Sequence, residues 1–289
     1  VDIPMPTVGP IADDELDPHS VRLRKVICAD TTHVTDEQIL AARRAYLANC
    51  SYVDHWVGQI VDTLNYHGLA DDTIIVFTAD HGDMLGERGL WYKMNFFEHS
   101  ARIPLIVHSP TRFRASRVAT LSSLLDIAPT LLDMAGIEAP SAMDGHSLLP
   151  QLGGFEDTLR TVEGEYLGEG AVAPIFMLRR GKLKYIYSQP DGDQLYDLSV
   201  DPHELNNVVD SVEYLADVAS FRSEAKDRWN MSQILVDVLD SQADRRVVDH
   251  ALRKGRYSAW DFQPTTDATG QYMRNHLDLN DVESGRRSS

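Results

Sequence analysis

The apolar positions of this chain change period several times, and each change marks an element. Across residues 35–67 they recur at three- and four-residue steps. Tyr46, Cys50, Val53, Val57, Ile60, Val61 and Leu64 fall on one side of a helix. Thr35, followed by Asp36, Glu37 and Gln38, supplies a hydroxyl cap with its reciprocal Gln, and Gly68 stops the helix. Asp71 and Asp72 make a turn. Residues 73–78 form a continuous apolar run, the pattern of a strand buried on both faces. A second short buried strand is predicted over 103–108. A helix follows over 121–136, interrupted by Pro129 and stopped by Gly136. Helix, strand, loop, strand, helix is the rhythm of a doubly wound α/β layer.

After the turn-rich residues 144–154 the runs shorten. Strands are predicted over 161–166, 174–179, 183–187 and 194–197, with turns at Arg180-Gly181 and Pro190-Asp191-Gly192. This is the pattern of a small antiparallel meander. Residues 214 to 253 are helical by period, with one solvated charged face. Residues 257–289 are polar and aromatic without period, and nothing within them can bury Trp260, Phe262 and Tyr272. Such a tail packs on the body, docks on a neighbouring subunit or stays disordered. The expected organisation is an extended connection over 1–34, an α/β part over 35–152, a sheet-and-helix subdomain over 153–253 and an extended tail over 254–289.

The 289 residues are 43% apolar, enough for a sizeable core in one large domain or two smaller ones. A net charge of −17 argues against non-specific nucleic-acid binding and against anionic membranes, but not against a small anionic substrate. Cys28 and Cys50 make no disulfide framework. Cys50 reads as a buried thiol and Cys28 as structural, which fits a reducing, cytoplasmic location. No apolar run approaches the length of about 18 residues that a membrane helix needs. The opening VDIPMP reads like the middle of a longer polypeptide.

The chemistry concentrates where the first apolar strand ends in Asp80-His81-Gly82. An acid and an imidazole at the carboxyl end of a buried strand suit a hard divalent cation, with further carboxylates to come from other strand ends. The plain alternative is a turn-capping Asp beside a His bonded to backbone. Lys93 follows Gly86, Gly89 and Trp91-Tyr92 and can meet an oxyanion as a point charge; the alternative is a solvated loop lysine. Glu98 and His99 are candidates to support the site, unless Glu98 pairs with Arg102 and pins the loop. Asp54 and His55 on the long helix read as packing or capping groups.

Several segments in order carry a resemblance: YVDHWVGQIVDTL, GLADDTIIVFTADHGDMLGERG, Lys93, FFEHSARIPLIV, SLLDIAPTLLDMAGI, DGHSLLPQL and QLYDLSVDPHELNNV. Over roughly residues 35–210 the chain resembles the sulfatase family of the alkaline-phosphatase-like superfamily. DPHS at 17–20, GERGLWYKMNFFEHSARIPLIV and GEYLGEGAVAPIFMLRRGKLKYI resemble its choline-sulfatase branch most. The resemblance implies a partial doubly wound alkaline-phosphatase-like sheet. It makes Asp80 and His81 metal ligands and Lys93 a catalytic contact to the sulfate group. Calcium is the usual family ion, with manganese or magnesium as alternatives where His replaces the usual Asn. The implied reaction is hydrolysis of a small sulfuric ester, choline sulfate to choline and sulfate. Phosphonate monoester or phosphodiester hydrolysis is the alternative, and a non-catalytic binding or assembly fragment a second one.

The chain departs from the family in one respect. Neither Cys28 nor Cys50 is followed by the Pro and Arg of the segment whose Cys matures to formylglycine, and Asp13-Asp14 and Asp71-Asp72 stand in the wrong context for the first metal pair. The resemblance therefore implies a missing amino-terminal half carrying the nucleophile, and a chain that is inactive alone. Quaternary ammonium needs aromatic faces and a carboxylate. Glu165, Tyr166 and Glu169 are the substrate-binding candidates. Trp260 and Tyr272 of the tail are candidates to complete a neighbour's pocket in a homo-oligomer.

Overall fold

The computed structural model describes residues 2–255. Its first helix lies inside the stretch expected to be extended. Asp17 caps α1 (Pro18–Val26) by accepting from the Ser20 N–H at 3.0 Å, and Pro18 occupies the first turn. An acidic cap followed by proline is a helix start, and the absence of apolar period over so short a helix hid it. Arg22 of α1 donates to both carboxylate oxygens of Asp191, at 2.9 and 2.6 Å, and to the Gly170 carbonyl at 2.6 Å. The Thr7 and Val8 N–H groups both donate to the Glu87 carboxylate at 2.9 Å. The amino-terminal segment is thus laid across later parts of the same chain.

Helix α2 (Asp36–Tyr66) starts as its sequence predicts. The Thr35 hydroxyl accepts from the Gln38 N–H at 3.3 Å, and the Gln38 side chain accepts from the Thr35 N–H at 2.9 Å. Strands β1 (Ile75–Thr78) and β2 (Leu105–His108), separated by the one-turn helix α3 (Glu98–Ala101), pair antiparallel from Ile75 opposite His108 to Thr78 opposite Leu105. The expectation that β1 is buried on both faces is corrected: it is half-buried throughout. Ile39 is the one buried residue of the 31 in α2, and Tyr52, Trp56, Ile60 and Ile106 stand exposed. Pro129 does not break helix α4 (Ile127–Met134). It sits in the first turn, where its missing N–H has no helical partner. The short helix α5 (Leu149–Leu152) leads into the second sheet.

That sheet is the predicted meander. Strands β3 (Thr161–Tyr166), β4 (Ile175–Arg180), β5 (Leu183–Tyr187) and β6 (Gln194–Asp197) pair in sequence order, all antiparallel. Both faces are covered. Ile175, Met177, Ile186 and Tyr196 pack with Met84, Leu90 and Phe97 of the loop after β1. Tyr185 stacks on Phe221 of α6 (Leu215–Arg228), ring centres 5.5 Å apart.

The continuous helix expected over 214–253 is corrected to two, α6 and α7 (Met231–Arg253). Trp229 is extended between them, because its indole stacks on Phe176 at 4.4 Å and donates to Glu165 at 2.7 Å. The chain forms two compact units, one ending at Asn230 and one starting at Met231. Within the second, α7 carries i,i+4 links such as Gln233 to Asp237 and Arg253 to Asp249. No helix among the described residues is long and apolar enough to cross a membrane. Trp260, Phe262 and Tyr272 lie outside the described residues.

Candidate functional site

Strand β1 delivers Asp80 and His81 to an exposed turn, with 84% of the Asp80 and 40% of the His81 side chain accessible. One Asp80 carboxylate oxygen accepts the His81 N–H at 2.9 Å, which fixes the carboxylate against its own turn. The His81 Nδ1–H donates to the Gly82 carbonyl at 2.8 Å. In the neutral ring this leaves the lone pair on Nε2, which lies 3.4 Å from the other Asp80 oxygen. A carboxylate oxygen and an imidazole nitrogen so placed have the donor chemistry that a divalent cation takes. Among the described residues no group of three or more His, Cys, Asp or Glu could hold an ion. The pair fits a metal in donor chemistry and orientation and needs further ligands from elsewhere.

Gly82 is required by proximity. Its N–H donates to the Ser100 carbonyl at 2.7 Å, and a Cβ would stand 2.1 Å from the His99 carbonyl oxygen. The turn is thereby clamped to α3. His81, Gly82, His99 and Arg102 share the wall of an open groove of about 1500 Å³, whose apolar side comes from α2 and the β1–β2 pair. Cys50 stands on that wall and is exposed, as is Cys28, so the expectation of a buried thiol is corrected. The apolar side of α2 that holds Cys50 faces the groove instead of a core.

Lys93 is exposed and is not part of the groove wall; among the described residues its ammonium makes no ion pair. Its loop is unusual in backbone. Tyr92 (φ +65°) and Met94 (φ +79°) on either side both lie in the left-handed region, as do Leu85 and Arg88. Bulky residues held there store strain that the surroundings must maintain. The Met94 carbonyl accepts from His19 Nε2–H at 2.7 Å.

Glu98 does not pair with Arg102. Its carboxylate accepts from Lys184 at 2.7 Å and Arg179 at 2.8 Å. Burial pushes the Glu98 carboxyl up, but the two cations outweigh it and hold it below the usual range. Glu204 accepts from the same lysine at 2.8 Å, yet burial dominates there and its carboxyl is raised. This buried cluster escaped the sequence reading. Its signal is a lysine at a buried position of the alternating run LKYIY.

The substrate-binding trio separates. Tyr166 donates to the Glu169 carbonyl at 2.9 Å and lies 3.1 Å from its carboxylate. Burial, then Glu169, raises the phenol above its ordinary value. Glu165 pairs across the sheet with Phe176 and is engaged by Trp229, on the face opposite to Tyr166.

Comparison with known proteins places these features. Family models match in three stretches: Sulfatase over residues 13–137, N-sulphoglucosamine sulphohydrolase, C-terminal over 86–230, and Choline sulfatase enzyme C terminal over 236–287. A choline-sulfatase of Rhizobium meliloti (strain 1021) is 45% identical over 98% of this chain and 56% of its own length. Arylsulfatase K of Rattus norvegicus is 37% identical over 62% of this chain and 34% of its own length. The chain therefore spans little more than half of the first of these relatives and a third of the second. A solved 2-O GAG sulfatase superposes with a TM-score of 0.68 at 26% identity, over 86% of this chain and 54% of that one. A phosphonate monoester hydrolase from Silicibacter pomeroyi gives 0.68 at 28% identity, over 78% and 50%. The fold is α/β and alkaline-phosphatase-like.

Proposed function

Because the chain belongs to the sulfatase family, we propose that it is the carboxyl-terminal part of a sulfuric ester hydrolase of the choline-sulfatase type. The observation that carries this reading is the 45% identity to a choline-sulfatase along 98% of the chain. In this reading Asp80 and His81 supply oxygen and nitrogen donors to a divalent cation, calcium first, with manganese or magnesium as alternatives. Such an ion would offset the negative charge on the sulfate oxygens. Lys93 meets those oxygens as a point charge, held by the strained backbone on either side of it. Tyr166 and Glu169 offer an aromatic face and a carboxylate to a quaternary ammonium group. Glu165, turned to the other face, buttresses Trp229.

The formylglycine nucleophile and the remaining metal ligands are assigned to a polypeptide segment outside this chain. That segment would cover the groove between α2 and the β1–β2 pair, where exposed apolar side chains and unpaired strand edges invite a partner. The chain alone then binds metal weakly and turns over nothing. The tail is proposed to join subunits of a homo-oligomer.

A second reading, phosphonate monoester or phosphodiester hydrolysis, is supported by the likeness to the Silicibacter pomeroyi enzyme. Comparing choline sulfate with aryl phosphonates, on a protein that carries this chain and the missing segment, separates them. Faster sulfate release supports the first reading, and a preference for phosphonates replaces it with the second. A non-catalytic assembly fragment would show no calcium or manganese binding by calorimetry even with that segment present.

A further inference from the structure

We propose that Lys184 is the positioning residue of this site: its buried ammonium ties the Lys93 loop and the Asp80–His81 turn to one sheet and so sets their separation. The proposal rests on the functional reading above for what the two arms do. The geometry of the tie stands by itself.

Lys184 lies on β5 with 1% of its side chain exposed. Its ammonium donates to two acceptors and forms an ion pair with a third group. They are the Phe96 carbonyl at 2.8 Å, Glu98 at 2.7 Å and Glu204 at 2.8 Å. Two of the three lie on either side of Phe97, at the junction from which both arms leave, and the third is Glu204 of a distant loop. Phe96 ends the strained run that carries Lys93. Glu98 opens α3, whose Ser100 carbonyl receives the Gly82 N–H at 2.7 Å, one residue after His81. Glu204 in turn takes the Glu98 N–H on its second oxygen at 2.7 Å, and the Glu204 carbonyl accepts from Arg88 at 2.6 Å. Arg179 of β4 adds a second cation to Glu98. From one buried nitrogen, both arms are reached within a few bonds.

Apolar residues of equal volume would pack this space without the desolvation cost of three charges. What they would lack is direction, since packing does not specify which carbonyl faces which donor. A strained loop needs such direction, because nothing in its own backbone preference holds Tyr92 and Met94 at positive φ.

The test compares Lys184→Met with Lys182→Met, an exposed neighbour paired with Asp197. Amide hydrogen exchange is followed on this chain. Lys184→Met is expected to speed exchange about tenfold or more at 94–98 and at Gly82, while β5 and β6 stay within about twofold; Lys182→Met leaves both arms unchanged. Unchanged arms in Lys184→Met, or equal loosening of the whole sheet, overturn the proposal. If Lys184→Met does not fold, Glu98→Gln keeps the Lys184–Glu204 pair and is expected to free the Gly82 arm alone; a protected Gly82 overturns it. In the enzyme that contains this chain, Lys184→Met is expected to lower kcat about a hundredfold with little change in KM. A rise in KM at constant kcat contradicts the positioning role. Lys93→Ala in the same assay separates the two ideas. If it is harmless while Lys184→Met still frees both arms, the functional reading fails and the tie remains.

Discussion

Gly82 shows how much of this site is set by single atoms. Gly82→Ala drives a methyl to 2.1 Å from the His99 carbonyl oxygen, so α3 or the turn must move. The expected cost is about 1–3 kcal/mol in urea unfolding, and, on the proposed function, weaker metal binding at Asp80 and His81. Asp126 is a second such point. Its carboxylate accepts from the Ser123 N–H at 2.7 Å, the His146 N–H at 3.0 Å and Arg160 at 2.6 Å, with 1% exposed. Asp126→Ala strands the Arg160 charge and two N–H groups, and is expected to cost about 3 kcal/mol or more by the same measurement. The residue types of the turn were legible as chemistry, because an acid, an imidazole and a glycine after an apolar run are uncommon together. The partners of Glu98 were not. Arg102 is near it in sequence, whereas Lys184 and Arg179 reach it only through the folding of a distant sheet.

Among the elements, those fixed by local period were read closely, apart from the short α1, and those fixed by distant contact were not. The cap of α2 and all four meander strands follow from period and turn residues within the segment itself. Thr35→Ala removes one half of a reciprocal cap and should lower stability by about 1 kcal/mol, measured by thermal or urea unfolding. The break at Trp229 was invisible because its cause, stacking on Phe176, lies on another strand. Strand β6 adds a pH test. Burial pushes the Asp197 carboxyl up, but bonds from Lys182, Ser199 and Tyr214 outweigh this and hold it down to about 2. A carboxyl lowered on folding stabilises above its ordinary value near pH 4 and loses that contribution as pH falls toward about 2. The stability gap between the parent and Asp197→Asn should therefore narrow from pH about 7 to pH about 3. A gap that widens contradicts the assignment.

At the scale of the molecule, α2 and the β1–β2 pair present apolar side chains to an open groove instead of to a core. Their amphipathic pattern was legible, but the side that reads as a core face is exposed among the described residues. The same fact bears on the proposed function, since His81 and Gly82 of the turn line the groove and Asp80 and His81 are the proposed metal donors. The most direct measurement replaces the matched portion of the Rhizobium meliloti choline-sulfatase with this chain and follows sulfate release from choline sulfate. The account predicts turnover by the folded, metal-loaded chimera, and a loss of about a hundredfold or more in kcat/KM for Asp80→Ala and for Lys93→Ala. A chimera whose Asp80→Ala and Lys93→Ala forms release sulfate as fast as the parent would contradict it.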